Sequence, residues 1–151
     1  MDTKMKSKIE KQIELKAPQS KVWQALADHE KFGEWFRVKI DAPFEVGKAS
    51  TGHITYPGYE HVKWIATVEK IEPEHTLAFS WHPYACDENR DYSDEPTTYV
   101  EFTLKPIEGG TLLTVIESGF ENIPEDRRDE AFRMNEGGWA EQMLNIEKYV
   151  S

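Results

Sequence analysis

The chain is short of cysteine, of long apolar runs and of signal-peptide features, and each shortage argues against a class of protein. Cys86 is the single cysteine in 151 residues, so no disulfide can form within one chain and secretion has no support. No stretch approaches the roughly 20 apolar residues that a membrane-spanning helix needs. Residues 1–11 are polar and lack the apolar centre of a signal peptide. We therefore expect a cytoplasmic protein.

The chain also contains fewer basic than acidic residues. There are 18 Lys and Arg residues against 28 Asp and Glu residues, which gives a net charge of -10, and the basic residues are scattered along the chain. Nucleic acids and anionic membrane surfaces attract clustered Lys and Arg side chains. The sequence therefore predicts neither nucleic acid nor a membrane as a partner.

The motifs of metal and catalytic sites are missing as well. The five histidines form no i, i+4 pair, and no paired-cysteine motif is present. The acidic run 87–91 opens like a calcium loop, but Tyr92 and Thr98 stand where that loop needs glycine and glutamate. Acids such as Glu69 and Glu101 alternate with apolar residues, which predicts that they are solvated. We predict no metal, no cofactor and no catalytic residue.

What the chain does contain is a long amphipathic helix at its end, predicted from Pro124 to Val150. Near Gly137 and Gly138 this helix should be weak, because each mid-helix glycine costs about 1 kcal/mol relative to alanine. Either the backbone packs closely against another element there, or the glycines leave space for a ligand. We adopt the first explanation, which predicts that Gly138→Leu destabilises the protein. One apolar stripe lies within about 40° of a single line along this helix: Phe132, Trp139, Met143, Ile146 and Val150.

The remaining chain reads as a strand, two short helices and a run of strands. A strand over residues 9–15 precedes a helix from Pro18, and Asp28 is placed to cap a second helix, weakened by Gly33, that ends at Trp35-Phe36. Period-two patterns then predict five or six antiparallel strands between residues 51 and 118. The acidic loop 83–96 interrupts them, and we predict that it is mobile and borders a pocket. This order predicts one α+β domain over residues 1–151, with residues 1–8 flexible.

Several short stretches, in this order, resemble the START-like (helix-grip, SRPBCC) superfamily, and within it the branch related to the C-terminal domain of the activator of heat-shock-protein-90 ATPase. They are residues 17–26, Trp35-Phe36, residues 68–73, residues 76–81, residues 110–114 and Gly137-Gly138-Trp139. The resemblance implies a curved antiparallel sheet wrapped around the C-terminal helix, often with a ligand pocket between them. It also permits a co-chaperone role, although this chain is expected to lack the separate chaperone-contact domain of the eukaryotic activators.

The rich set of aromatic residues is either an ordinary core or the lining of such a pocket. We predict that the protein, as a monomer or homodimer, binds a hydrophobic or amphipathic small molecule there without catalysis. The alternatives are a surface-acting partner of a chaperone or other protein, and a cyclase- or hydrolase-type enzyme, which would need a buried ionisable group in the pocket. The predicted lining residues are Trp35, Phe36, Trp64, Phe79, Trp81, Tyr99, Phe102, Phe132, Met134, Asn135, Gly138, Trp139 and Gln142.

Overall fold

The fold has two layers, a β-sheet and the helices that cover it. The strands alternate between buried and exposed residues, and the last helix packs one apolar stripe against the sheet. A computed structural model of the chain describes residues 7–87 and 89–151, and its elements follow the predicted order. They are β1 (Lys8–Leu15), α1 (Gln19–Ala27), α2 (His29–Phe36), β2 (Val38–Ile40), β3 (Ala49–Ile54), β4 (Lys63–Glu72), β5 (Thr76–Trp81), β6 (Thr98–Ile107), β7 (Gly110–Ser118) and α3 (Glu125–Val150), with a 3-10 turn at Phe120–Asn122.

The strands of the described residues form one seven-stranded sheet in the order β1-β7-β6-β5-β4-β3-β2. Every neighbouring pair is antiparallel. Gly109 adopts a φ of 81° in the tight turn that joins β6 to β7, a conformation that favours glycine. A register shift between Val68 and Lys70 in β4 is a bulge, which bends a strand. This confirms the predicted α+β helix-grip architecture.

Helix α2 begins at the position that Asp28, the predicted capping residue, indicates. The Asp28 carboxylate accepts hydrogen bonds from the backbone N–H groups of Glu30 and Lys31, which begins α2 as expected. Arg37, in the left-handed conformation with a φ of 69°, ends it. Helix α2 thereby presents Phe32 and its neighbours to the core, where they are buried.

Helix α3 covers the sheet with its predicted stripe. Phe132, Trp139, Met143, Ile146 and Val150 are all buried. On one side α3 lies near β1, where Lys11 Nζ and Glu136 Oε2 are 4.0 Å apart. On the other side it lies near the end of α2, where Gln142 Nε2 donates to the Phe36 carbonyl oxygen at 3.0 Å.

Two details of the sequence-based predictions change. The predicted close approach of Gly138 is wrong, because a Cβ atom built there would meet no atom within 4 Å, and Gly137 is equally open. Of the predicted flexible stretch 1–8, residues 1–6 lie outside the described residues. Lys8 is already in β1, paired with Ser118.

The close approach predicted for Gly138 occurs instead at Gly33 in α2. A Cβ atom at Gly33 would lie 2.2 Å from the backbone oxygen of Val38, which cannot move away freely. We expect Gly33→Ala to lower the free energy of unfolding by about 1–3 kcal/mol, as overpacking does. Gly138→Ala is the matched control and should raise it by up to about 1 kcal/mol, through helix propensity alone. Urea denaturation of both variants checks this, and a stabilised Gly33→Ala would contradict it.

Candidate ligand-binding site

Most of the predicted lining residues meet in one aromatic cluster between the sheet and α3. Its rings contact one another with centroids 4.9–6.5 Å apart. The cluster comprises Phe32, Trp35, Phe36, Phe44, Trp64, Phe79, Trp81, Phe102 and Trp139. The middle of the predicted cavity is therefore occupied by side chains. Phe32, which the sequence-based prediction missed, contacts five of the other rings.

Six predicted residues are not part of this cluster: Asn135 and Gln142, whose amide groups donate to Glu117 and to the Phe36 carbonyl oxygen, and four others. Phe132 packs instead on Phe120, with ring centroids 5.1 Å apart. Met134 is 40% exposed, so its side chain does not line the core. Tyr99 alternates with the buried Thr98 and Val100 on β6, which places it on the opposite face of the sheet. Gly138 is exposed at the surface of α3.

The cluster reaches the surface at Trp81. Trp81 is only half-buried and forms a triangle with Phe36 and Trp139, with centroid separations of 6.4 Å, 6.0 Å and 5.9 Å. Asn135, Gly138 and Gln142 follow one another at one-turn spacing on α3, so they share one side of the helix. This side of α3 borders the edge of the cluster. We call the Asn135, Gly138 and Gln142 surface the Gly138 flank. At the Gly138 flank the surface of α3 is open, because a Cβ atom at Gly138 would meet no atom within 4 Å.

Glu117 lies directly beneath this edge. Its side chain is fully buried at the end of β7, and its two oxygens accept hydrogen bonds from three different elements. The donors are Trp81 Nε1 at 2.7 Å on β5, Thr98 Oγ1 at 2.6 Å just within β6, and Asn135 Nδ2 at 3.0 Å and Trp139 Nε1 at 2.8 Å on α3. Indole and amide N–H groups are donors only, so the site is built for a carboxylate.

Glu117 is an exception to the predicted solvation of most acids, and the sequence analysis did not identify it. The signal was present in the sequence, because Thr111, Leu113, Val115 and Glu117 follow one another at period two on β7, and all four are buried. The partners were not visible, because they lie 18–36 residues away along the chain.

Loop 83–96 is tied to the start of α3 by arginines. Glu95 Oε1 pairs with Arg127 Nε and Glu95 Oε2 with Arg90 Nε, each at 2.8 Å. Arg90 also pairs with Asp126 at 2.8 Å, and Arg127 donates to the Pro83 carbonyl oxygen at 2.7 Å. The predicted mobility of this loop stays untested, and Glu88 lies outside the described residues.

A pocket of about 320 Å³ opens between this loop and α3. Burial raises the pKa of both Tyr84 and Cys86 in its wall, so both stay protonated at neutral pH. The hydrogen bond from Arg90 lowers the pKa of Asp126, so the contribution of that pair to stability is present at neutral pH and is lost on acidification. The lining residues are Tyr84, Cys86, Asp87, Arg90, Tyr92, Arg127 and Glu130.

The comparison with known families now decides the kind of protein. A family model described as "Activator of Hsp90 ATPase homolog 1-like protein" matches residues 16–151. The chain belongs to this family. No protein with a curated description matches the chain.

Several solved structures share this fold. Protein MLL2253 from Mesorhizobium loti is 25% identical, with a TM-score of 0.74 over 94% of this chain and 95% of that one. The Aha1 dimer from Colwellia psychrerythraea is 21% identical, with a TM-score of 0.70 over 96% of each chain. CalU16 from Micromonospora echinospora is 21% identical, with a TM-score of 0.65 over 95% of this chain and 76% of that one.

Two further properties of this Hsp90-activator-like chain bear on its partners. Within residues 7–87 and 89–151, no three His, Cys, Asp or Glu side chains are grouped so that they could hold a metal ion. Over the same residues, no helix is both long and apolar enough to cross a membrane.

The Glu117 hydrogen bonds predict a large effect of a small substitution. In Glu117→Gln, one oxygen becomes an NH₂ group that faces indole N–H donors and leaves buried polar groups unpaired. We expect the free energy of unfolding to fall by about 1–3 kcal/mol. Glu101→Gln, on the other face of the sheet, removes the same charge and should change it by less than about 0.5 kcal/mol. Urea unfolding measures both, and equal effects would refute the assigned role of Glu117.

The arginine pairs predict unequal effects at Glu95 and Asp126. Arg127 and Glu95 have side chains only 8% and 12% exposed, so Glu95→Ala leaves a buried guanidinium without its partner and should cost about 3 kcal/mol. Asp126 is 64% exposed, so Asp126→Ala should cost much less. Thermal denaturation ranks the two variants, and hydrogen exchange over residues 89–95 should accelerate only in Glu95→Ala. The reverse ranking would contradict this assignment.

Proposed function

We propose that the protein binds a hydrophobic or amphipathic small molecule at the Gly138 flank, against the exposed edge of the aromatic cluster. The observation that carries this proposal is the half-buried Trp81, whose ring lies 5.9 Å from that of Trp139, the residue that follows the open position Gly138 on α3. Each helical glycine costs about 1 kcal/mol, and no contact at either glycine offsets that cost. Space for a ligand against the helix backbone accounts for Gly138.

The chemistry around the flank supports a ligand that is mostly apolar. Trp81 offers half-buried ring surface with the buried Phe36 and Trp139 rings next to it, and the centroids of the Trp64 and Phe79 rings lie 5.6 Å and 5.2 Å from that of Trp81. The surroundings of the Trp81 ring are therefore aromatic as well. Asn135 and Gln142 border the flank with amide groups, which could give such a ligand one or two polar contacts.

A catalytic function is less well supported by the same geometry. Glu117 is the buried acid that an enzyme of this fold would need, but four hydrogen-bond donors occupy its oxygens. A general acid or base must reach the proton that it transfers. Glu117 therefore acts in this proposal by holding Trp81, Trp139 and Asn135 in place, and the protein is a binding protein.

The test uses apolar probes and two neighbouring variants. Fatty acids, fatty amines and flat aromatic compounds should include binders at micromolar levels, about 8 kcal/mol, and these should quench tryptophan emission. Gly138→Leu fills the flank and should weaken binding at least tenfold, because its side chain takes the space of the ligand. Gly137→Leu is the matched control and should bind normally, because residue 137 points about 160° away from Trp139.

Both leucine variants should fold at least as stably as the parent protein, because leucine is the better helix former. Lost binding in Gly138→Leu would therefore not reflect unfolding. If no probe binds, or if both variants bind as the parent does, the proposal fails. A chaperone-related role at the outer surface then becomes the better account.

A further inference from the structure

The charge near the Gly138 flank narrows the class of ligand, and this step rests on the function proposed above. We propose that the site selects amphipathic molecules with a positively charged head, such as an alkylammonium or an aromatic amine, over those with a carboxylate. The inference comes from a buried negative charge that no cation of the protein neutralises.

Glu117 carries that charge. All of its hydrogen-bond donors are neutral groups, and in the described part of the chain no lysine, arginine or histidine forms an ion pair with it. A charge in a low-dielectric interior acts over a longer distance than one in water. Trp81 and Asn135, two of the hydrogen-bond donors to Glu117, are half-buried, so the carboxylate lies one side chain away from the surface at the flank. A ligand group placed there meets a negative field.

The indole rings also favour a positively charged ligand group. Trp is the aromatic side chain that attracts a cation most strongly over its ring face. Trp81 and Trp139 bind the Glu117 oxygens through their ring N–H groups, which leaves the ring faces free of hydrogen bonds to that acid. A cationic head at the flank would therefore lie beside an indole ring with a carboxylate behind it.

The arginines nearby do not reverse this preference. Arg90 and Arg127 both pair with Glu95, and Arg90 pairs with Asp126 as well. The pocket that these arginines line also contains Asp87 and Glu130. At a net charge of -10, the chain as a whole repels anions.

A headgroup series on the unmodified protein tests the selection. Octyltrimethylammonium, octyl glucoside and octanoate share one alkyl chain and should be compared by tryptophan quenching below their micelle concentrations. We expect the ammonium compound to bind about tenfold or more tightly than octanoate, with the glucoside between them. Equal binding of all three, or a preference for octanoate, would overturn the charge inference while leaving the binding function intact. No binding of any would overturn both.

Two variants separate the site from general attraction to an acidic surface. Gly138→Leu should abolish the ammonium binding, and binding that persists in it would overturn the inference. Glu117→Gln should reduce the preference over octanoate to less than threefold, whereas Glu101→Gln, which loses the same charge from the other sheet face, should keep it. If Glu117→Gln does not fold, the headgroup series and Gly138→Leu still decide the question.

Discussion

The Glu117 carboxylate is the constraint on which the arrangement of this molecule depends. It is fully buried and joins β7 to β5, β6 and α3 through hydrogen bonds from four donor residues. Removing a carboxylate from water is costly, and only this full set of donors offsets the cost. Any shift of α3 along the sheet would leave an acceptor or an indole N–H unpaired. The network thereby fixes α3 and holds two indole rings at the edge of the core.

This constraint relates the packed interior to the proposed binding surface. The centre of the sheet–helix interface is filled by aromatic rings, whereas the Gly138 flank is open. A site at the flank would use the edge of an ordered core, with Trp81 held by Glu117 and Gln142 held by the Phe36 carbonyl oxygen. Rings held in this way bind at a lower entropic cost than free ones.

The sequence was sufficient for the features that depend on local pattern. The stripe of α3, the Asp28 cap and the order of elements all follow from residues within a few positions of one another. The Glu117 network and the Arg127–Glu95 pair join residues far apart in the chain, so they depend on strand register and helix placement. Gly138 was misjudged because a glycine indicates either close packing or open space, and only the position of the neighbouring elements distinguishes them.

If a ligand occupies the Gly138 flank, the five indole N–H resonances of the protein can report on it separately. In a ¹H–¹⁵N titration with an apolar probe that binds, the Trp81 and Trp139 indole signals should shift, because both N–H groups lie at the edge bonded to Glu117. The Trp35 indole N–H donates to the Ala25 carbonyl oxygen in the helical layer, so the chemical shift of its signal should change little. A saturable shift confined to Trp35 or Trp23, with Trp81 and Trp139 unmoved, would contradict the account.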